Sequence, residues 1–401
     1  MVLVLLFTAG CKKTDSTLKL GPWRGIIRMQ GMDLPFNFII DSTAQGYQAR
    51  IRNGEEQLLL DEIRTDDDSV VMTMHIFDAE LKAKIDGDSM RGFFIKNYET
   101  NYRLPFRAAA GQKFRFEKAD ADPKVDFSGT YEVTFVNEKD TTQAVGIFKQ
   151  DGTVVTGTFL TPLGDYRWLE GNVVNDKLML SVLDGNHAFI FSATKNFDQT
   201  LTGDYYSGRA WHQTWTGKLN PEAKMPDPAS LTGLKEGYEK IDFSFPDETG
   251  KIFSSIDERF KSKPLIIQIL GTWCPNCMDE TRFLADWYRR NNDLGVEIVG
   301  LAFEAKDEFT YAAERVKKMK TKIGVDYPVL IAGNKDKKKA AEALPALREF
   351  VAFPTTIYVG RDGKVKKIHT GFSGPGTLKY YDQFVQDFNT TIKELLSEQT
   401  E

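Results

Sequence analysis

Two cysteines, Cys274 and Cys277, stand two residues apart in the stretch Gly271-Thr272-Trp273-Cys274-Pro275-Asn276-Cys277. An apolar run, Leu265-Ile266-Ile267 and then Ile269-Leu270 around Gln268, leads into it. Short, β-branched and bounded by Pro264 and Gly271, that run reads as a buried strand. Beyond the cysteines, Phe283, Leu284, Trp287 and Tyr288 share one face of a helical pattern. The pair therefore belongs at a strand-to-helix turn, with Cys274 at or just before the helix start. Unpaired N–H groups and the positive end of the helix dipole favour a thiolate over a thiol there. Pro275 suits the opening of a helix, where no N–H is required. Cys277, one turn further in, can close a small ring with Cys274, which is the arrangement thiol–disulfide exchange needs. Two other readings exist. A zinc site needs two further ligands at suitable spacing. The chain has three cysteines and four histidines, its third cysteine is the remote Cys11, and no His-x3-His pattern occurs. We therefore assign no metal and no cofactor. A purely structural disulfide would close too short a loop to remove much unfolded-state entropy.

The surrounding pattern supplies the elements that would hold this pair. Phe245 to Lys251 predicts a hairpin turn, and Val296 to Phe303 a second buried strand. A helix capped by Asp307 is expected to run to about Lys322, followed by a short strand at Val329-Leu330-Ile331 and a basic-faced helix from Lys335 to Leu347. Thr355 to Val359 and Val365 to Ile368 flank the Arg361-Asp362-Gly363-Lys364 turn as a closing hairpin. Leu378, Tyr381, Phe384, Val385, Phe388, Ile392 and Leu395 mark a final amphipathic helix. This β-α-β-α-β-β-α order fits an α/β thioredoxin architecture.

These residues also resemble a family. From about Tyr238 to Leu396 the chain is similar to a thioredoxin-fold domain of the TlpA/ResA-like type, thiol–disulfide oxidoreductases tethered to membranes of the bacterial cell envelope. Gly-Thr-Trp-Cys-x-x-Cys is that family's form of the active-site loop. Glu280 matches an acidic residue beside the dithiol. Gln268 falls where thioredoxin has a buried aspartate and the family often an amide. Phe353-Pro354-Thr355-Thr356 resembles the cis-proline loop facing the dithiol. Thr281 or Arg282 stands where a proline is usual. The resemblance implies that Cys274 attacks, Cys277 resolves, Trp273 shields the pair and Pro354 follows a cis bond. The alternative for Pro354 is an ordinary strand-edge proline. Glu280 either passes protons and tunes the cysteines or is a solvated helix carboxylate.

The rest of the chain reads differently. From 18 to 220 the pattern is all-β and antiparallel, a barrel or sandwich, with Leu81, Ala83 and Ile85 alternating with polar residues and Asn-Gly or Asp-Gly turns at 53, 86, 151 and 184. Two weak repeats, 18–118 and 125–220, are suggested by the equivalence of Trp23 with Tyr131 and of Gly92 with Gly203. Dense aromatics here (Phe36, Phe38, Phe94, Tyr166, Tyr205, Trp215) suit either strand cores or a ligand cavity. Pro221, Pro226 and Pro228 open a stiff linker at 221–237, a thioredoxin-like domain is expected over 238–398, and residues 230–401 are expected to fold alone on a core of their own.

Net charge of -5 leaves no basic footprint for nucleic acid. The apolar Met1–Phe7 is far shorter than the roughly 20 residues a membrane span requires. It resembles instead a secretory h-region, and Thr8-Ala9-Gly10-Cys11 a lipobox, so that residues 1–17 are expected to be a signal remnant and tether with Cys11 lipidated. The alternative is a plain N-terminus. The expected function is a periplasmic, lipid-anchored thiol–disulfide oxidoreductase that reduces protein clients and is recharged by a membrane or periplasmic redox partner. A thiol peroxidase on the same fold, or a β-domain binding protein with a secondary redox site, are the competing classes. The first lacks the Pro-x3-Thr-x2-Cys setting that activates peroxide.

Overall fold

The computed structural model describes residues 17–117, 123–350 and 352–398. Cys11, the expected tether and most of the join between the two repeats lie outside them. The N-terminal half is all-β and forms two nine-stranded sheets. In the first, consecutive strands pair antiparallel and Gly21–Met29 pairs with Arg103–Ala110, leaving Glu56–Leu60 and Ile63–Asp66 as the two end strands. The second sheet closes. Gly129–Val136 pairs with Trp211–Leu219, and the ring completes through Thr141–Asp151, Val154–Thr161 and Leu169–Val174. Only the two-residue strand Gly164–Asp165 stands outside the ring, on the edge of Val154–Thr161. A barrel of about eight strands has an interior that side chains just fill. Here Phe135, Phe148, Phe159, Phe191, Tyr205 and Trp215 fill it, with Phe191 stacked on Tyr205 at 4.5 Å. Core packing, not a ligand cavity, accounts for those aromatics.

The repeat has a physical counterpart. Trp23 and Tyr131 are both fully buried at the start of their units. Gly92 and Gly203 each lie against the preceding strand so closely that an added Cβ would fall 1.9 Å from a carbonyl oxygen, of Lys82 and Ser192 respectively. Gly92→Ala and Gly203→Ala should therefore each cost about 1–3 kcal/mol through forced strand displacement. Urea unfolding checks this, and a variant as stable as the parent would show that the strands part without cost.

The two sheets are joined through Arg115, whose buried guanidinium donates to Arg52 O, Asn53 Oδ1 and Ser181 O, each at 2.9 Å.

The C-terminal part has the thioredoxin fold. Its sheet runs Val329–Asn334, Glu297–Glu304, Leu265–Leu270, Thr355–Val359, Val365–Thr370, parallel across the first three and antiparallel across the last two. Leu265–Leu270 is central and wholly buried. Among the described residues four α-helices accompany the sheet: α1 (Pro275–Asn291), α2 (Phe309–Ile323), α3 (Lys337–Ala343) and α4 (Lys379–Ser397). Two local expectations differ. Asp307 does not cap α2; Glu308 occupies the cap position without a side-chain bond, and Asp307 pairs with Lys339 at 3.1 Å. α3 spans Lys337–Ala343 and not Lys335 to Leu347, because Leu344 precedes Pro345 and leaves the helical region.

The proline-rich tract is not a bare spacer. Ala223 is buried, its carbonyl accepts from Tyr380 Oη at 2.6 Å, and Thr370 Oγ1 donates to Thr232 Oγ1 at 2.8 Å. One contiguous cluster of buried apolar residues runs from the first sheet into the thioredoxin-like unit. α2 also reaches the turn between the first sheet's two end strands, with Lys318 on Glu62 at 2.8 Å and Lys322 on Asp61 at 2.6 Å.

Candidate active site

The wholly buried strand Leu265–Leu270 delivers the chain to the loop that opens α1. Cys274 is the N-cap residue of α1, and its Sγ accepts from the Cys277 N–H at 3.2 Å. That bond directs one of the helix's unpaired donors at the sulfur. Cys274 retains 6% exposure and Cys277 none. Both are free thiols. Burial first, and then the hydrogen bond and charge of Cys274, push the Cys277 thiol well above its ordinary value. The two cysteines are thus unequal: one on the surface side at the helix start, one sealed behind it.

The other expected site residues converge here. The Phe353–Pro354 bond is cis, and the Phe353 carbonyl stands 3.7 Å from Cys274 Sγ. Trp273 meets Phe353 edge to face at 5.3 Å and donates its indole N–H to Phe303 O at 2.9 Å. Glu280 is no solvated helix carboxylate. It is 1% exposed, with Gln268 Nε2 donating to one oxygen at 2.8 Å and Thr356 Oγ1 to the other at 2.7 Å. Burial pushes its pKa up to about 7, against the downward pull of those two hydrogen bonds. Thr281 donates to Cys277 O at 2.7 Å and lies 3.1 Å from Gln268 Oε1. A neutral-range carboxyl group, an amide and two hydroxyls therefore form a closed network behind Cys277.

Further participants escaped the sequence reading. Glu304 is buried and accepts from both Thr272 N at 2.9 Å and Thr272 Oγ1 at 2.7 Å, fixing the residue two before Cys274. The signal was a carboxylate closing the apolar run Ile298–Phe303. Glu304→Ala removes both acceptors and leaves a buried N–H unpaired, so the protein should lose about 2–4 kcal/mol of stability. A denaturant midpoint matching the parent's would refute this. Asn276, between the cysteines, donates from Nδ2 to Asp165 O at 3.0 Å, and Trp273 O accepts from Asn186 Nδ2 at 2.8 Å. Asp165 and Asn186 both belong to the second barrel. Among the described residues no cluster of His, Cys, Asp and Glu could hold a metal ion, and no helix is long and apolar enough to cross a membrane.

The C-terminal part of the chain is similar to known proteins. Residues 235–384 match the Redoxin family. Thiol-disulfide oxidoreductase ResA of Bacillus subtilis (strain 168) is 26% identical over 163 residues, 41% of this chain and 83% of that protein. Thiol:disulfide interchange protein DsbE of Vibrio cholerae is 31% identical over 80 residues, 20% of this chain and 40% of that protein. Among solved structures, a thioredoxin-family thiol:disulfide interchange protein from Chlorobium tepidum TLS covers 41% of this chain and 100% of its own, at 22% identity and a TM-score of 0.31. The C-terminal part of the chain is a Redoxin domain with ResA-like and DsbE-like homologues.

Proposed function

Starting from a thioredoxin-like redox enzyme of the ResA/DsbE kind, we propose that this protein is an envelope thiol–disulfide oxidoreductase that reduces disulfides of client proteins through Cys274-Pro275-Asn276-Cys277. The observation that carries the reading is the asymmetry of the pair, with Cys274 capped by a helix N–H and Cys277 sealed and backed by Glu280. In the reaction, Cys274 thiolate attacks a client disulfide, forming one S–S bond and breaking another. The departing client sulfur leaves as a thiolate and takes up a proton. Cys277 then gives up its proton, attacks Cys274 Sγ and releases the second client thiol, so two electrons pass to the client and the dithiol becomes a disulfide. Glu280, with a pKa near neutrality, is suited to accept the proton that Cys277 loses. A membrane or periplasmic dithiol partner would restore the reduced state.

Cys11 is proposed as a lipid attachment site that holds the enzyme at a membrane. Equilibrating the purified protein with thiol–disulfide buffers of graded potential tests the reductant assignment. A couple more oxidising than that of protein disulfide isomerase, about −180 mV, would assign it to oxidation instead. Full-length protein should sediment with membranes, and Cys11→Ala should not.

A further inference from the structure

The dithiol loop is gripped by the second barrel on both sides of Cys274. Before it, Trp273 O accepts from Asn186 Nδ2 at 2.8 Å; after it, Asn276 Nδ2 donates to Asp165 O at 3.0 Å. The segment Thr161–Arg167 then runs from the start of α1 to the loop after the last strand. The Asp165 carboxylate accepts from Gly374 N, and Arg167 lies between Glu56 and Asp279, 3.1 Å from the latter. Contact along this segment is close-packed. A Cβ added to Gly371 would fall 3.0 Å from Pro162 O, and one added to Gly376 would fall 3.1 Å from Arg167 O. Gly371 N also donates to Pro354 O at 2.9 Å, so the segment sits directly beside the proline loop that faces the sulfur. On the Trp273 side, Tyr98, in the turn after Ser89–Lys96, donates to Asn186 Oδ1 at 2.6 Å, and Lys335 lies over both the Tyr98 and Trp273 rings. Protein walls therefore stand on both sides of a sulfur that is 6% exposed.

We propose that Thr161–Arg167 and Asn186 make the β half the specificity wall of the redox site, setting an upper width on the disulfide carrier that can bring a sulfur to Cys274 Sγ. This rests on the oxidoreductase reading above. It also gives Asn276, the second residue between the cysteines, a docking role. The chemistry at sulfur is unchanged: the same S–S bond breaks and the same Cys274–substrate bond forms, whatever carries the disulfide. Only approach is restricted.

The test compares one leaving group on two carriers. A 5-thio-2-nitrobenzoate mixed disulfide is prepared on glutathione and on a surface cysteine introduced into folded ubiquitin, and release of the coloured thiolate is followed. Dithiothreitol, which has no wall, gives the reference ratio of the two rates. The reduced full-length protein should disfavour the ubiquitin carrier by about tenfold or more beyond that ratio. Gly376→Leu, a wedge under Arg167 O remote from the sulfurs, should raise the ubiquitin rate several-fold while the glutathione rate stays within about twofold. A parent ratio equal to that of dithiothreitol overturns the proposal. A normal parent preference that Gly376→Leu leaves untouched in a folded variant overturns the assignment of the wall to Thr161–Arg167. Should that variant not fold, Asn186→Ala, which releases the Trp273 side, replaces it with the same expected direction. Failure of the parent on both carriers, while dithiothreitol reacts, would instead overturn the oxidoreductase reading itself.

Discussion

Cys274→Ser should abolish turnover to background, whereas Cys277→Ser should stall with client proteins covalently attached. The two variants differ because the two sulfurs have different surroundings. Cys274 is the one that receives the Cys277 N–H and keeps a path to solvent. Without its sulfur there is no accessible nucleophile, and a serine hydroxyl cannot replace a thiolate at neutral pH. Cys277→Ser leaves that nucleophile in place but removes the group that displaces the client. Mixed disulfides should then accumulate toward one per protein, vanish on adding a reductant and be identifiable by mass spectrometry. The reverse pattern, with adducts on Cys274→Ser alone, would reverse attacker and resolver. Full activity in both variants would make the dithiol structural.

The second large effect concerns Glu280. Its folded pKa of about 7 lies above the ordinary 4.5, so the fold favours the neutral acid. The sign follows from proton counting. Below about pH 4.5 both folded and unfolded chains carry the proton and the stabilisation is fully present. As pH rises toward 7 the unfolded chain ionises first, and stability falls until the folded group also ionises. At about 1.4 kcal/mol per pH unit, the loss from this one group is roughly 3 kcal/mol by pH 8. Glu280→Gln keeps the shape and can still bond Gln268 and Thr356, but it does not titrate. It should be more stable than the parent at pH 8 by about that amount and nearly equal to it at pH 4.5. The same variant should slow the resolving step more than the attacking step, seen as longer-lived mixed disulfides in single-turnover traces. Parallel stability–pH curves for parent and variant would show that Glu280 is already ionised in the fold.

The active-site loop and its flanking elements were legible because their signals are local. A β-branched run, a proline at a helix start and a 3.6-residue apolar stripe each determine their own neighbourhood. Glu280, Gln268 and Pro354 were found because each lies in register with the cysteine pair or resembles a loop that faces it. The β half was legible as alternating strands, but not as a closed ring beside an open one, since closure depends on Thr141–Asp151 finding Val154–Thr161 and Val154–Thr161 also finding Leu169–Val174. Nothing local announced that Thr272 would be held by Glu304 across the sheet, or Asn276 by a barrel more than a hundred residues earlier. The prolines near 221 show where regular structure stops, but not whether the apolar residues among them find a partner. Ala223 and Met225 do, against Val145, Leu160 and Tyr380.

The unclosed first sheet has a consequence for how the chain is made. Its end strands finish at Leu60 and begin at Ile63, and the turn between them is clasped by Lys318 and Lys322 of α2. Synthesis runs from the N-terminus, so the sheet emerges long before the helix that clasps it. At about 5–20 residues per second, the roughly 250 intervening residues take on the order of ten to fifty seconds. Throughout that interval the Asp61–Glu62 turn lacks the two lysines that pair with it in the folded protein, and the end strands on either side of it are held by the sheet alone. A chain ending before residue 309 should therefore self-associate more readily than the full-length protein under the same conditions, which sedimentation velocity would show.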